Sequence, residues 1–472
     1  MALTSDRIPA SDTYRDLFSA SLFTCAGIGD LGFRAAGARF IAMNEIESDR
    51  AALARLNFPE AEHSTDDIHS AIDTICSTIQ HRLGAAEQEL FLLSCTAPCQ
   101  GMSSAGMGSL LNNIRSGKRP KLDPRNRLIL PALEIIQRVR PLWVVFENVV
   151  GMKNAVIEDQ EGRPRRILEI IRDVLGSEYV GYAYEVEFAD YGIPQRRQRL
   201  ITVYTRDERA KSSFMAGESL VPRATHAQAG RKGLLSWVSV KEALQDFPPL
   251  DSKTPKDANH PPLPFHRVPV LDPKKYEWIR HTPLGRSAFD NQCISQTCRF
   301  DGNSCHGTHR GKDGINRARN NTPLYCERCK SLLPRPYTVE RNGSLRIMRG
   351  YTSAYKRMPA DLPAPTISRN LSFPCSDQKI HPFQNRVLSL AEAMRLQTID
   401  SYPFRWGPLV YTDDRGRTVS RKVAPDTLVR LVIAESIPPR FTELLTQHLL
   451  RMSFAECTEP LDHDLPRQAM LL

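Results

Sequence analysis

Between Ala20 and about Thr205, apolar positions along the chain fall in two alternating rhythms. Short runs rich in apolar or β-forming residues at 20–24, 39–44, 90–94, 142–146, 182–188 and 200–204 predict strands. Longer segments with helical spacing, such as 49–56 and 128–139, lie between them. This alternation predicts an α/β fold: a mostly parallel sheet with helices on both faces. Ligands of such sheets bind at the carboxyl ends of the strands, so the chemistry is to be sought there.

The rhythm is lost after about residue 206, where Pro and polar residues become frequent. The stretch 248–264, rich in Pro and Asp, reads as a connector, and 206–385 as a second region low in regular helix. Helical patterning returns at 389–397 and 440–450. The length of 472 residues fits two or three domains.

A net charge of +10 favours a polyanionic partner, although a surplus of solvated Lys and Arg gives the same count. No segment reaches the roughly 18 uninterrupted apolar residues of a membrane span. The N-terminus lacks a signal-peptide apolar core, so a cytoplasmic protein is expected. In that reducing setting the 11 cysteines point to metal binding or catalysis rather than disulfides.

Five elements near predicted strands carry candidate chemistry. Ser21-Leu-Phe-Thr-Cys-Ala-Gly-Ile-Gly-Asp-Leu-Gly-Phe33 runs from strand through small residues into helix. Small residues let backbone N–H groups approach a ligand, though such turns are also common punctuation. Glu45 ends the next strand and Asp67 follows it. Acidic groups there can accept hydrogen bonds from ribose hydroxyls, or can simply be solvated. Ala97-Pro-Cys-Gln-Gly-Met-Ser103 places a Cys after a strand, where it can ionise to a nucleophile; most free cysteines are instead buried packing. Phe146-Glu-Asn-Val149 puts a carboxyl group at the ligand edge. In Gln195-Arg-Arg-Gln-Arg199, strand alternation would carry Arg197 and Arg199 on one face.

In this order, the five elements resemble the motifs of the DNA (cytosine-5)-methyltransferase family. Pro363-Ala-Pro-Thr-Ile367, Arg386-Val-Leu-Ser-Leu-Ala-Glu392 and Arg395-Leu-Gln397 resemble the family motif beyond its target-recognition region, and Ser436-Ile-Pro-Pro439 its last motif. The resemblance implies a Rossmann-like S-adenosylmethionine-dependent methyltransferase domain with a smaller target-recognition domain. Residues 1–205 would be catalytic, 206–385 would recognise the target, and 386–472 would return to the catalytic domain. Phe23, Gly27, Glu45, Asp67 and Pro98 would hold S-adenosylmethionine: Phe23 at the adenine ring, Glu45 at the ribose, Asp67 at the adenine amine. Cys99 would attack the base, and Glu147, Arg197 and Arg199 would hold and polarise the cytosine. The basic stretch 101–127 would close over DNA as a lid.

The chemistry accounts for these residue types. Carbon 5 of cytosine is a weak nucleophile until a thiolate adds at carbon 6. A carboxylic acid at N3 and a guanidinium near O2 stabilise the charge that develops. Inside double-stranded DNA these atoms are unreachable, so the base must be flipped out. Two positions depart from the family pattern: Cys25, where Gly is usual, and Glu435, where Asn is usual. The stretch 409–422, with Asp414-Arg-Gly416 as turn, reads as an inserted hairpin.

Cys293-x4-Cys298 and Cys326-x2-Cys329 form two pairs of the kind that make a tetrahedral structural zinc site. Cys305, His306 and His309 lie between them as competing ligands. An RNA (tRNA) cytosine-5 methyltransferase is the nearest alternative function. The common RNA enzymes carry their nucleophile in a Thr-Cys motif after the strand where this chain has Glu147-Asn-Val. A non-catalytic DNA-binding protein of this fold would not need both Cys99 and Glu147. The modification type of the family further implies a monomer on DNA and a cognate restriction endonuclease acting on the same sequence.

Overall fold

The computed structural model describes residues 16–98, 124–228, 233–306, 308–310, 316–318, 322–348, 353–376 and 378–454. Its centre is a seven-stranded sheet of β1 (Leu17–Leu22), β2 (Ala38–Asn44), β3 (Glu62–Ser64), β4 (Leu92–Cys95), β5 (Trp143–Asn148), β6 (Val180–Glu187) and β7 (Gln198–Thr205). The spatial order is β3-β2-β1-β4-β5-β7-β6. The strands from β3 to β5 in that order run parallel, and β7 is antiparallel to both of its neighbours. Strand order reverses between β1 and β4, which opens a crevice at their carboxyl ends. Each of the six runs expected to be extended is a strand of this sheet.

The helices between these strands are α1 (Asp30–Ala35), α2 (Ser48–Asn57), α3 (Ile68–Ala86), α4 (Ile129–Val139) and α5 (Ile167–Leu175). After β7 come α6 (Glu208–Met215), α7 (Val240–Leu244), α8 (Pro273–Arg280), α9 (Leu390–Leu396), α10 (Asp426–Glu435) and α11 (Pro439–Phe454). Period-two alternation divides the core. On β5, Val144 and Phe146 pack with α3, α4 and α5, while Trp143 and Val145 pack toward α1 and α11. The last helix therefore covers the first. A Cβ at Gly32 would stand 1.9 Å from the Pro439 carbonyl oxygen, and Thr442 Oγ1 donates to Gly29 O at 2.7 Å. That contact returns the end of the chain to the sheet.

The region after β7 is short of ladders, and its side pairings are two-stranded. Leu250, Trp278, Ile279, Phe289 and Tyr355 form its apolar cluster. Buried Arg357 supplies donors that a sheet would otherwise provide: it bonds the carbonyls of Ile279, Thr282, His381 and Gln384. The expected hairpin forms from Leu409–Thr412 and Thr418–Arg421, with Asp413 accepting from the backbone of Arg415 and Arg417 at its turn. Among the described residues no helix is long and apolar enough to cross a membrane.

Candidate active site

The loop after β1 bends sharply. Phe23 and Cys25 have φ of 57° and 54°, and Gly27 has 77°. Only Gly enters this region freely, so Cys25 holds a strained conformation that the usual Gly would adopt without cost. A Cβ at Gly27 would also meet the Phe58 ring at 2.6 Å. Burial pushes the Cys25 thiol well above the ordinary range.

Glu45, just past β2, is buried and turned back under this loop. Its carboxylate accepts from Cys25 N at 2.8 Å and from Glu47 N at 2.9 Å. Burial raises it to about 7, with these hydrogen bonds and nearby Arg50 pulling the other way. Asp67 caps the start of α3, accepting from His69 N at 2.9 Å, and is exposed. Asn44 Nδ2 donates to Asp66 O at 3.2 Å, so the loop carrying Asp67 is tied to the end of β2.

Asp30 is a residue that the motif contains but sequence reasoning did not single out. It is buried and accepts from Ser21, Thr24 and Ser94 hydroxyls, and burial raises it to about 6. The small polar residues at the ends of β1 and β4 were the available signal. Thr24, Cys25, Asp30, Ser94, Glu435 and Ser436 line a cleft here.

The segment after β4 starts in the same place. Thr96 Oγ1 donates to Phe23 O at 2.7 Å, and Asn148 Nδ2 to Ala97 O at 3.1 Å. Pro98 is half-buried. Cys99 and most of the basic stretch 101–127 lie outside the described residues.

At the end of β5, Glu147 is 8% exposed and pairs with Arg199 Nε at 2.9 Å. Glu147 lies opposite Ile201 of β7, which places Arg199 diagonally across the same face. Arg197 is elsewhere. Its guanidinium donates to Ile367 O at 3.2 Å and Ala434 O at 2.8 Å. Arg197 itself falls between the paired residues Gln195–Arg196 and the start of β7 at Gln198, and its carbonyl accepts from Phe188 N at 3.2 Å. Gln195 works alongside Arg197: its Oε1 accepts from Ile367 N at 2.9 Å and its Nε2 donates to Gln397. Gln397 Nε2 in turn donates to Ser436 O at 2.7 Å. This network joins the segments at 363–367, 396–397 and 434–436 to the sheet.

A family model described as C-5 cytosine-specific DNA methylase matches residues 18–426. The chain belongs to that family. It is a DNA (cytosine-5)-methyltransferase of Rossmann-like α/β fold, using S-adenosylmethionine as methyl donor and DNA as substrate. The methyltransferase is 27% identical over 453 residues to the Type II methyltransferase M1.HgaI of Avibacterium volantium, covering 92% of this chain and 98% of that protein. It is 25% identical over 447 residues to the Type II methyltransferase M.AgeI of Thalassovita gelatinovora, covering 82% and 92%. Among solved structures, the S. pombe Dnmt2 methyltransferase aligns with 92% of this chain and 98% of its own, at 13% identity and a TM-score of 0.48.

Away from the sheet, the sulfurs of Cys293, Cys298, Cys326 and Cys329 lie within 4.8 Å of one another. Cys293 and Cys329 are 3.6 Å apart, Cys298 and Cys326 3.9 Å. The competing ligands face other partners. Cys305 lies 3.9 Å from Asn303 O, and His306 stacks on Phe289 with Nδ1 2.7 Å from Thr322 Oγ1. The side chain of His309 lies outside the described residues. Buried Arg335 fastens this module by donating to the carbonyls of Asn291, Ser304 and Pro323.

Proposed function

We propose that the methyltransferase modifies a flipped cytosine within a specific double-stranded DNA sequence through a covalent Cys99 adduct. The observation that carries this reading is the Glu147–Arg199 pair beside the segment that leads into Cys99. Cys99 thiolate adds to carbon 6 of the base, and Glu147 gives N3 a proton as charge develops. Arg199, already bonded to Glu147, stabilises the charge on the ring. Bound S-adenosylmethionine supplies the methyl group that carbon 5 accepts. S-adenosylhomocysteine is left behind, loss of the carbon-5 proton to a base expels the Cys99 thiolate, and N3 returns its proton to Glu147. We assign Arg197 to positioning, since its guanidinium bonds the carbonyls of Ile367 and Ala434.

Phe23, Gly27, Glu45, Asp67 and Pro98 would hold the donor. The buried Glu45 carboxylate under the β1 loop fits the hydroxyls of a ribose. Residues 206–385 are proposed as the target-recognition domain. The similarity of the chain to Type II methyltransferases supports a modification enzyme; a cognate endonuclease acting on the same sequence and a monomer on DNA are proposed with it.

Methylation sequencing of DNA from a host without its own cytosine methylation tests the reaction. Wild type is expected to leave 5-methylcytosine at one short sequence, and Cys99→Ala none. Unmodified DNA with soluble wild-type protein would sink the reading. A specific tRNA cytosine methylated instead would favour the RNA alternative.

Cofactor affinity is expected to weaken as pH falls through about 7, because Glu45 then gains a proton and loses the charge that attracts ribose hydroxyls. Its effect on folding has the opposite sign. A carboxyl raised from its ordinary 4.5 to about 7 favours the folded state at low pH, and this contribution is lost as pH rises through 7. Titration of S-adenosylhomocysteine across that range checks the first statement; Glu45→Gln should flatten the profile.

The four-cysteine cluster is proposed to hold a structural zinc ion. Tetrahedral zinc with Zn–S bonds of about 2.3 Å places its sulfurs about 3.8 Å apart, which matches the 3.6 and 3.9 Å separations. Purified protein is expected to contain about one zinc per chain, and Cys326→Ser to lose it. Cobalt-substituted protein without a thiolate charge-transfer band would exclude the site.

A further inference from the structure

We propose that Glu187 is a positioning residue for methyl transfer: its carboxylate sets the backbone turn from which Arg199 reaches Glu147. This deepens the reading of Arg199 given above and rests on it. The chain changes partners at Arg197. Gln195 and Arg196 pair with Ala364 and Pro365, whereas β7 begins at Gln198 and pairs with β6 and β5. At the changeover the Arg197 N–H donates to Glu187 Oε1 at 2.6 Å instead of to a neighbouring strand. The Arg197 carbonyl accepts from Phe188 N, so residues 187 and 188 hold both of its backbone groups.

Glu187 is suited to this place. It ends β6 opposite Gln198, and its side chain is only 12% exposed. Phe188 and Ala189, which follow it, are fully buried, so the carboxylate stands on a fixed base. An ionised carboxylate only accepts, and the backbone N–H groups of Arg197 and Ala189 both bond it. The other charge nearby is Arg196, with Nε 3.7 Å from Oε2 and its side chain 54% exposed, which contributes little. Two residues beyond Arg197, Arg199 Nε stands 2.9 Å from Glu147 Oε1. Glu147 is carried by β5 and Glu187 by β6, with β7 between them. Without its carboxylate partner, the Arg197 N–H must find another acceptor and the start of β7 shifts. A displacement of about 1 Å at a reacting group costs rate even when the group itself is intact.

A Glu187 that only stabilises the fold predicts something different, and a double-mutant cycle with Arg199 separates the cases. Single-turnover methyl transfer would be measured on the full-length protein with DNA containing the identified target, beside titrations of S-adenosylhomocysteine. Glu187→Ala is expected to slow transfer by about tenfold or more while changing S-adenosylhomocysteine affinity by less than about twofold. Glu187→Gln keeps an oxygen for the Arg197 N–H and should recover most of the rate. In an Arg199→Ala background, Glu187→Ala should change the rate by less than about twofold, because the group it positions is gone; independent effects would multiply. If Glu187→Ala does not fold, Glu187→Asp takes its place, since it keeps the charge but draws the carboxylate back by one methylene. A wild-type rate in Glu187→Ala, an equal loss of S-adenosylhomocysteine affinity, a Gln variant as slow as Ala, or losses that multiply would each overturn the proposal. A wild-type rate in Arg199→Ala would remove the reading of Arg199 itself, and this proposal with it; a slow Arg199→Ala beside an unaffected Glu187→Ala would overturn this proposal alone.

Discussion

Glu147→Gln is expected to slow methyl transfer about a thousandfold, within the usual range for a lost general acid, while leaving cofactor affinity within about twofold. The amide keeps the shape but cannot give N3 a proton. It also leaves Arg199, 2.9 Å away, without its carboxylate partner, so two groups that act on the same ring charge fail together. Arg199→Ala alone is therefore expected to lower the rate, and the double variant to be little worse than Glu147→Gln. Single-turnover rates on DNA containing the identified target, set beside S-adenosylhomocysteine titrations, measure both quantities. A Glu147→Gln enzyme within tenfold of wild type would show that the proton at N3 comes from elsewhere.

The second large effect concerns stability. Arg386 and Glu392 are both fully buried and meet through two hydrogen bonds of 2.7 and 2.6 Å. Glu392 also accepts from Ser389 N at 2.8 Å, closing the capping box of α9. Glu392→Met leaves a guanidinium buried without its charge partner, and is expected to cost about 3–5 kcal/mol. The double variant Arg386→Met/Glu392→Met removes both charges and should recover most of that loss. Urea denaturation followed by tryptophan fluorescence compares the variants; equal destabilisation of single and double would contradict the mechanism. Arg386 holds the Glu392 carboxyl down at about 2, against its burial. A depressed carboxylate stabilises the fold above its unfolded pKa of about 4.5 and loses that contribution as pH falls toward 2, so the pair should contribute to acid unfolding.

Much of this protein can be read along the chain. The strands are legible because period-two alternation on β5 and β7 feeds two separate apolar layers. The order of the Gly-rich turn, Pro-Cys-Gln, Glu-Asn-Val and Gln-x-Arg-x-Arg along the chain carries the resemblance to the family without reference to the fold. The paired cysteine spacings marked their cluster, since each pair can form a knuckle locally.

Other features depend on residues far apart in sequence. Buried Asp30 gains its Ser94 partner because the pairing of β1 with β4 brings Ser94 beside Ser21. The Arg197 guanidinium finds its acceptors at Ile367 and Ala434, 170 and 237 residues further along the chain. The ion pair of Arg50 with Glu435 joins two helices that no local pattern relates. Sequence by itself determined the strands, the order of the catalytic motifs and the residue types that the chemistry needs. Those are set by side-chain periodicity and by reactivity, which are local properties. Tertiary structure decided which polar groups are buried and with whom they pair, because desolvation and hydrogen bonding depend on what the rest of the chain packs against each group.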